Sequence, residues 1–494
     1  MPSFSSFRDV KLWESFIKNK LAPYEENVSD YLKYWFTESR DSTDAYPSQG
    51  MLLTPFDYLE YVQKGVLPPQ RMVEILRVRQ YFLEIFNHPE RIKELKKVDK
   101  ADFVPPPLVK NSVMDRLISE EVAASVSDLG IAVVGSQQAR VARSKRFKAG
   151  PFVKLGKRAR SLLVGSAMPD VFGSVSSIST MAQCLSLVCV PRNGPFSEIK
   201  RQVDLVKEVW HALQKSEVLA EKSVTERKFL LNHWQGNVMG TLEADPTKAI
   251  ARARALYKAG VKVFRVYSPE PGTGTLKTVK RLRKEWSNEL EIFAGQVVDV
   301  RQARQLEEAG ADALYVGIGG GGRCITGVRS GSVIDWPILL WKMRGEVSIP
   351  IVVEGGASDH IATTLALGAS GIGVSRSVAG GTIESPGGML YCIDKQGNYF
   401  KPYGGEASAR TKYLDKKMLP FDLPSFVEGE VSRADMAHLS YGEPTIPYNT
   451  FNLIEDVILS YVFRGVGSLE ELHQINPSPI RIKSMEGSSV QETH

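Results

Sequence analysis

The stretch Glu307-Glu308-Ala309-Gly310-Ala311-Asp312-Ala313-Leu314-Tyr315-Val316-Gly317-Ile318-Gly319 decides how this chain folds. Its first residues close a helical pattern that runs from Val300 to Ala309. Ala309-Gly310 is a helix stop, because glycine accepts the left-handed backbone of a C-terminal cap. Ala313-Leu314-Tyr315-Val316 is a short apolar run that reads as a buried strand. The loop beyond it, Gly317-Ile318-Gly319-Gly320-Gly321-Gly322-Arg323-Cys324-Ile325-Thr326-Gly327, has five glycines before its cysteine. Such a backbone can approach a ligand closely and offer it N–H and C=O groups. A thiol presented there can attack an electrophilic carbon and form a covalent intermediate.

The same helix, stop and strand recur on both sides. Candidate strands are Ser161 to Val164, Leu185 to Val190, Gly236 to Leu242, Val261 to Tyr267, Leu290 to Ala294, Ala313 to Gly317, Pro350 to Val353 and Ile372 to Ser375. Candidate helices between them cover Phe196 to Leu213, Pro246 to Ala259, Leu276 to Trp286, Val300 to Ala309 and Asp359 to Leu367. Ala259-Gly260 and Leu367-Gly368 repeat the stop seen at Ala309-Gly310. Strands alternating with helices predict a parallel sheet with helical crossovers. Eight strands fit an α/β fold of the closed (β/α)8 TIM-barrel kind; a doubly wound open sheet is the competing arrangement.

Residues 1–150 differ in pattern and read as a mainly helical N-terminal extension. Arg8 to Lys20, Tyr31 to Glu38 and Pro69 to Asn87 carry apolar residues at helical spacing. Pro105-Pro106-Pro107 marks a linker. Gln137 to Lys157 is dense in Arg and Lys and reads as an exposed basic loop. The barrel, with a flap and a C-terminal segment, is expected over 151–494.

The 494 residues carry a formal net charge of +6, too small for their number to indicate nucleic acid. Four cysteines (Cys184, Cys189, Cys324 and Cys392) have no metal-like spacing. Few cysteines and no signal peptide predict a cytoplasmic protein. No apolar run is long enough to span a membrane.

In a barrel the chemistry sits on the loops after the strands. Glu354-Gly355-Gly356 follows the seventh candidate strand. Ser375-Arg376 and Gly380-Gly381 follow the eighth. Barrels commonly bind phosphate at these positions, through backbone N–H groups at a short helix N-terminus. Arg376 can add a charge-assisted contact. Together with the loop ending at Cys324, these features predict a phosphate-bearing ligand beside a nucleophile.

Several segments, in order, resemble the IMP dehydrogenase/GMP reductase family. Gly165-Ser166-Ala167-Met168 is similar to its Ser-Ser-Pro-Met stretch. Val190-Pro191-Arg192-Asn193, followed by Glu198 and Gln202, is similar to its His-Arg-Asn segment. Ala294-Gly295-Gln296-Val297-Val298 resembles Ala-Gly-Asn-Val-Val. Residues 307–319 lead into Cys324-Ile325-Thr326 as in the family's Cys-Ile-Thr loop. Glu354-Gly355-Gly356, Leu365 to Ala369, Ala379-Gly380 and Glu384 to Gly387 resemble the phosphate half of its barrel. Gly467 to Leu472 resembles its last helix. The resemblance spans about residues 160–480, and the nucleotide-regulatory CBS pair that many dehydrogenases carry is replaced by a short helical link from Trp210 to Trp234.

The resemblance implies a TIM barrel acting on a purine nucleoside monophosphate with NAD or NADP. Cys324 attacks C2 of the purine, Thr326 assists water or ammonia, and hydride moves between C2 and the nicotinamide. Ser166, Met168, Gly322, Arg323, Glu354, Gly355, Gly356, Ser375, Arg376, Tyr403 and Gly405 take the positions that hold the nucleotide. Tyr267, Ser268, Glu270, Gly317 and Gly319 take the cofactor positions. Carbonyls of Gly319, Gly321 and Cys324 match a loop that accepts K⁺. The family's tetramer implies a homotetramer, with no nucleic-acid or membrane partner.

Several positions depart from the family. Tyr267 stands where an Asp ends the fourth strand, with Glu270 a nearby acidic substitute. Glu354 replaces the ribose-binding Asp, Gly322 replaces a phosphate-binding Ser, and Ser375-Arg376 replaces Gly-Ser. Lys412-Tyr413 is the nearest match to the flap's Arg-Tyr. Glu428-Gly429 or Ser425 occupies the place of the base-binding Gln or Glu, with Glu428 the catalytic candidate. Cys-Ile-Thr points to the dehydrogenase direction, IMP, NAD and water giving XMP and NADH. The absent CBS pair and absent Arg-Tyr point to GMP reductase, GMP and NADPH giving IMP and ammonia. A nucleotide-binding paralogue without turnover and an enzyme for a modified purine nucleotide complete the set.

Overall fold

The computed structural model describes residues 63–134, 141–268, 273–317, 326–332, 335–394, 396–408, 411–412, 415, 418–419, 423–424, 431–436 and 443–484. Eight parallel strands close into a barrel, so the closed arrangement holds and the open sheet does not. They are β1 (Leu163–Gly165), β2 (Leu187–Val190), β3 (Val238–Leu242), β4 (Val263–Tyr267), β5 (Glu291–Gly295), β6 (Ala313–Val316), β7 (Ile351–Val353) and β8 (Gly371–Val374). The ring closes where Ile372 of β8 pairs with Leu163 of β1. All eight expected strands lie in the ring, each with both ends within two residues of the expected bounds.

The strands read as apolar runs because both of their faces are covered. Val164, Val188, Met239, Phe264, Phe293, Leu314, Val352 and Ile372 are buried, one or more on every strand. Burying one such side chain stabilises by about 1.5–3 kcal/mol. The crossover helices follow the sequence pattern. Asp245 and Asp299 cap the N-termini of Pro246–Lys258 and Val300–Glu308, each through its side chain. Glycines 260, 310 and 368 follow their helices with φ between 99° and 124°.

A hairpin of Phe152–Leu155 and Arg158–Ser161 precedes β1 and covers the base of the barrel. Arg160 is buried there and is ion-paired with Glu291 at the start of β5. The expected basic loop over Gln137 to Lys157 is therefore largely regular structure where it is described. Arg143–Ala149 is a helix that ends at Gly150, and Phe152, Val153 and Leu155 are buried. Interleaved lysines and arginines hid the apolar residues, since long cationic side chains keep their heads in water above a buried stem.

The N-terminal residues that are described pack directly against the barrel core. Gln63–Val66 is a strand antiparallel to Leu390–Ile393, at one edge of a four-stranded sheet that continues through Tyr399–Gly404 to Val431–Asp435. The helix Pro69–Phe86 lies on the helix Ile446–Val462, where the Phe82 and Phe451 rings are 4.8 Å apart. The helices expected over Arg8 to Lys20 and Tyr31 to Glu38 lie outside the described residues. Among the described residues no helix is long and apolar enough to cross a membrane.

Candidate active site

The C-terminal ends of the barrel strands bring most of the expected residues to one mouth. Ser166 follows β1, donates its backbone N–H to Val374 O at 3.0 Å, and keeps its hydroxyl buried without a partner among the described residues. Met168 begins the turn into the short helix Pro169–Phe172. Its sulfur lies 3.5 Å from the Tyr403 hydroxyl, which is 3.4 Å from Ser375 Oγ. The Arg376 guanidinium stands 6.0 Å from the Tyr403 ring centre. Asp170 ties the strand of Tyr403 to this corner by accepting the Gly404 N–H at 2.7 Å. Gly405 follows, and a Cβ there would meet open space.

Glu354 follows β7, and its backbone N–H bonds to Val316 O at 2.8 Å. Gly355 and Gly356 have φ of 71° and 87°, which turn the chain into the single helical turn Ala357–Asp359. The Glu354 carboxylate reaches into the barrel and meets Arg265 of β4, with Nη2 2.6 Å from Oε2. Burial pushes its pKa above the ordinary value, Arg265 opposes this, and Glu406 adds to it. Arg265 lies between two rings, 4.0 Å from the centre of Tyr267 and 4.4 Å from that of Tyr315. Burial, the largest influence, works against its charge, but Glu354, Cys189, Tyr315 and Glu406 together outweigh it and hold its pKa above the usual range.

Tyr267 ends β4, and its hydroxyl accepts from Gln296 Nε2 at 3.3 Å. Its carbonyl accepts from Arg192 at 3.2 Å. Ser268 bridges to β5, donating its N–H to Gly295 O and accepting from Gln296 N, each at 3.1 Å. Gly317 has a φ of 123°, and Thr326 begins the helix Thr326–Ser330 after the glycine loop. Gly319, Gly321, Gly322, Arg323, Cys324, Glu270, Ser425 and Glu428 lie outside the described residues, as does Tyr413. The other three cysteines are buried and unbridged. Burial raises the thiol of Cys184 and pushes that of Cys189 up to about 11. Neither supplies a thiolate near neutral pH.

Sequence reasoning missed Arg265. The available signal was a lone charge inside the apolar strand Val263-Phe264-Arg265-Val266-Tyr267. Glu406 was missed as well; it accepts from Asn193 at 2.6 Å and lies 3.8 Å from Arg192. Several buried polar atoms around the mouth lack partners among the described residues: Ser166 Oγ, Thr241 Oγ1, Gln296 Oε1 and Glu354 Oε1. Buried polar groups are normally satisfied, so this concentration fits a mouth that receives a polar ligand. A cleft of about 370 Å³ between Pro89–Lys100 and Val224–Gln235 lies apart from these residues, with Lys93, Lys96 and Lys222 among its lining residues.

The sequence pattern of the IMP dehydrogenase / GMP reductase domain matches residues 155–477. Among relatives, the inosine-5'-monophosphate dehydrogenase of Chlorobaculum parvum is 36% identical over 275 residues, 50% of each chain. That of Helicobacter pylori strain 26695 is 31% identical over 261 residues, covering 49% of this chain and 50% of the relative. That of Aquifex aeolicus is 32% identical over 210 residues, 40% of this chain and 41% of the relative. The chain thus spans half or less of the length of these curated relatives. The matched residues contain all eight strands of the barrel and the loops at its mouth, and on that ground the chain belongs to the IMP dehydrogenase / GMP reductase family.

Proposed function

We propose that this protein is a purine-nucleotide oxidoreductase that converts IMP, NAD and water to XMP and NADH through a covalent adduct at purine C2. The observation that carries the reading is the mouth itself. Ser166, Met168, Ser375, Arg376 and Tyr403 form one corner suited to a monophosphate, while Glu354 lies at the end of β7 beside unpartnered polar atoms. The relatives' name, inosine-5'-monophosphate dehydrogenase, supplies the substrate.

In this reading backbone N–H groups after β7 and β8 hold the phosphate, with Arg376 adding charge. Gly355 and Gly356 leave room for the ribotide to approach the backbone. Cys324 attacks C2 as thiolate, and the C2 hydride leaves. A bound dinucleotide would supply the hydride acceptor, and Tyr267, Ser268 and Gln296 would hold it. Thr326, at the start of its helix, orients the water that releases XMP and restores the thiol, with Glu428 or Ser425 on the base. Carbonyls of Gly319, Gly321 and Cys324 would hold K⁺, and a homotetramer would be the assembly. Enclosure and positioning carry the rest of the barrier.

Two assays test this: IMP with NAD, and GMP with NADPH. NADH formation in the first supports the reading. Turnover in the second alone replaces it with GMP reductase. Nucleotide binding without turnover in either makes the chain a binding protein.

A further inference from the structure

Two arginine–glutamate pairs are buried inside this barrel, one at each end, and they differ in how completely they are bonded. At the base, Arg160 spans both oxygens of Glu291. Its Nε also donates to Asn237 Oδ1 at 3.1 Å and its Nη2 to Gly236 O at 2.7 Å. Glu291 Oε1 takes the Lys157 N–H at 2.8 Å as well. That pair is closed, with each nitrogen and oxygen in use.

The pair at the mouth is open. Arg265 reaches Glu354 Oε2 through Nη2 at 2.6 Å and Cys189 Sγ through Nη1 at 3.9 Å. Arg265 Nε and Glu354 Oε1 are buried and have no partner among the described residues. A buried ion pair pays a desolvation cost that an apolar pair avoids, and a half-satisfied one is worse than either. The base shows that this chain can complete such a pair. Stability alone therefore does not explain why the mouth carries an incomplete one. The site is also shaped to hold it. A Cβ on Gly373 of β8 would lie 2.6 Å from Glu354 Cγ, so the missing side chain makes room for the carboxylate arm to lean inward.

We propose that Arg265 is a positioning residue for ligand recognition: it anchors Glu354 Oε2 and leaves Oε1 alone to accept one sugar hydroxyl of the nucleotide. The inference rests on the purine-nucleotide reading and narrows it. The guanidinium is locked between the rings of Tyr267 and Tyr315, so the carboxylate cannot rotate to offer both oxygens. The sugar is then read through one hydroxyl rather than through both.

The charged and titratable groups facing this pair come from several elements. They are Tyr267 on β4, Cys189 on β2, Tyr315 on β6 and Glu406 beyond Gly405, with Arg192 behind Glu406 at 3.8 Å. For Glu354, burial and Glu406 favour the neutral acid, and Arg265 favours the carboxylate. Removing the guanidinium leaves only the influences that favour protonation.

The test uses the full chain and calorimetric binding of IMP, 2'-deoxy-IMP and 3'-deoxy-IMP. One deoxy analogue is expected to lose about tenfold or more in affinity, as for one hydrogen bond to a charged group, and the other to stay within about threefold of IMP. Arg265→Met is expected to weaken IMP about tenfold and to add a limb to the pH profile, with affinity rising with pH as Glu354 ionises. Arg265→Lys should restore part of the affinity. The double variant Arg265→Met/Glu354→Gln should be flat with pH. Equal loss for both deoxy analogues, or loss for neither, overturns the assignment of Arg265 while leaving the nucleotide reading intact. An Arg265→Met protein with unchanged affinity and unchanged pH profile also overturns it. Should that variant fail to fold, the two analogues on the unaltered protein still decide. Failure of the unaltered protein to bind IMP or GMP overturns the nucleotide reading and this inference with it.

Discussion

At Gly317 a side chain is excluded both by conformation and by space. Its φ is 123°, and a Cβ would fall 2.2 Å from Glu354 O. Gly317→Ala is expected to cost about 2–3 kcal/mol, because the end of β7 must move to admit the methyl group; denaturant unfolding reads the loss. Arg376→Ala should weaken monophosphate binding by about 1.5–3 kcal/mol if its guanidinium bonds the phosphate, and calorimetry with IMP checks it. Cys324→Ser should abolish turnover and leave nucleotide binding largely intact; retained turnover sinks the covalent route. The sequence exposed these three residues because each sits beside a glycine turn or a strand end. Arg265 gave no such cue. It occupies a strand interior, where an isolated charge breaks the apolar pattern without indicating which way it points.

The barrel strands were readable as elements because each is an apolar run that breaks into a loop, glycine-rich after β6, β7 and β8. Their ends were less readable, since pairing with two neighbours sets where a strand stops. The segment around Arg143 to Leu155 shows the opposite failure, where charge density concealed a helix and a hairpin. The helix Pro69–Phe86 was expected, but its purpose was not. Its Arg79 reaches Glu384, fully buried beyond β8, with Nε 3.1 Å from Oε1, and donates to Thr180 Oγ1 at 2.7 Å. Leu67 N–H bonds to Met389 O at 3.2 Å in the same corner. This N-terminal element therefore braces the segment that follows the expected phosphate turn. Arg79→Ala leaves a buried carboxylate short of its cation and is expected to cost about 3 kcal/mol, read from the denaturant midpoint. The KM for nucleotide should rise with it.

Two histidines give the whole molecule an acid limit. His233 and His473 are buried, and burial, reinforced by nearby arginines, holds each pKa down to about 3 against the usual 6.5. In the unfolded chain they take up protons below pH 6.5, whereas in the folded chain they stay neutral to about pH 3. Stability is therefore full above pH 6.5 and falls as the pH drops. Each histidine is expected to remove about 2 kcal/mol by about pH 5. Unfolding midpoints at neutral and mildly acid pH check the slope, and His473→Gln should flatten it. The sheet beside the barrel sets a different constraint on the whole chain. Gln63 pairs with Ile393, and the outermost strand of that sheet runs to Asp435. On a ribosome the first of these strands emerges hundreds of residues ahead of its partner. It must wait unpaired while the entire cylinder is made, so the corner it supports is assembled late, and a nascent chain halted before Leu390 has a barrel but no finished doorway.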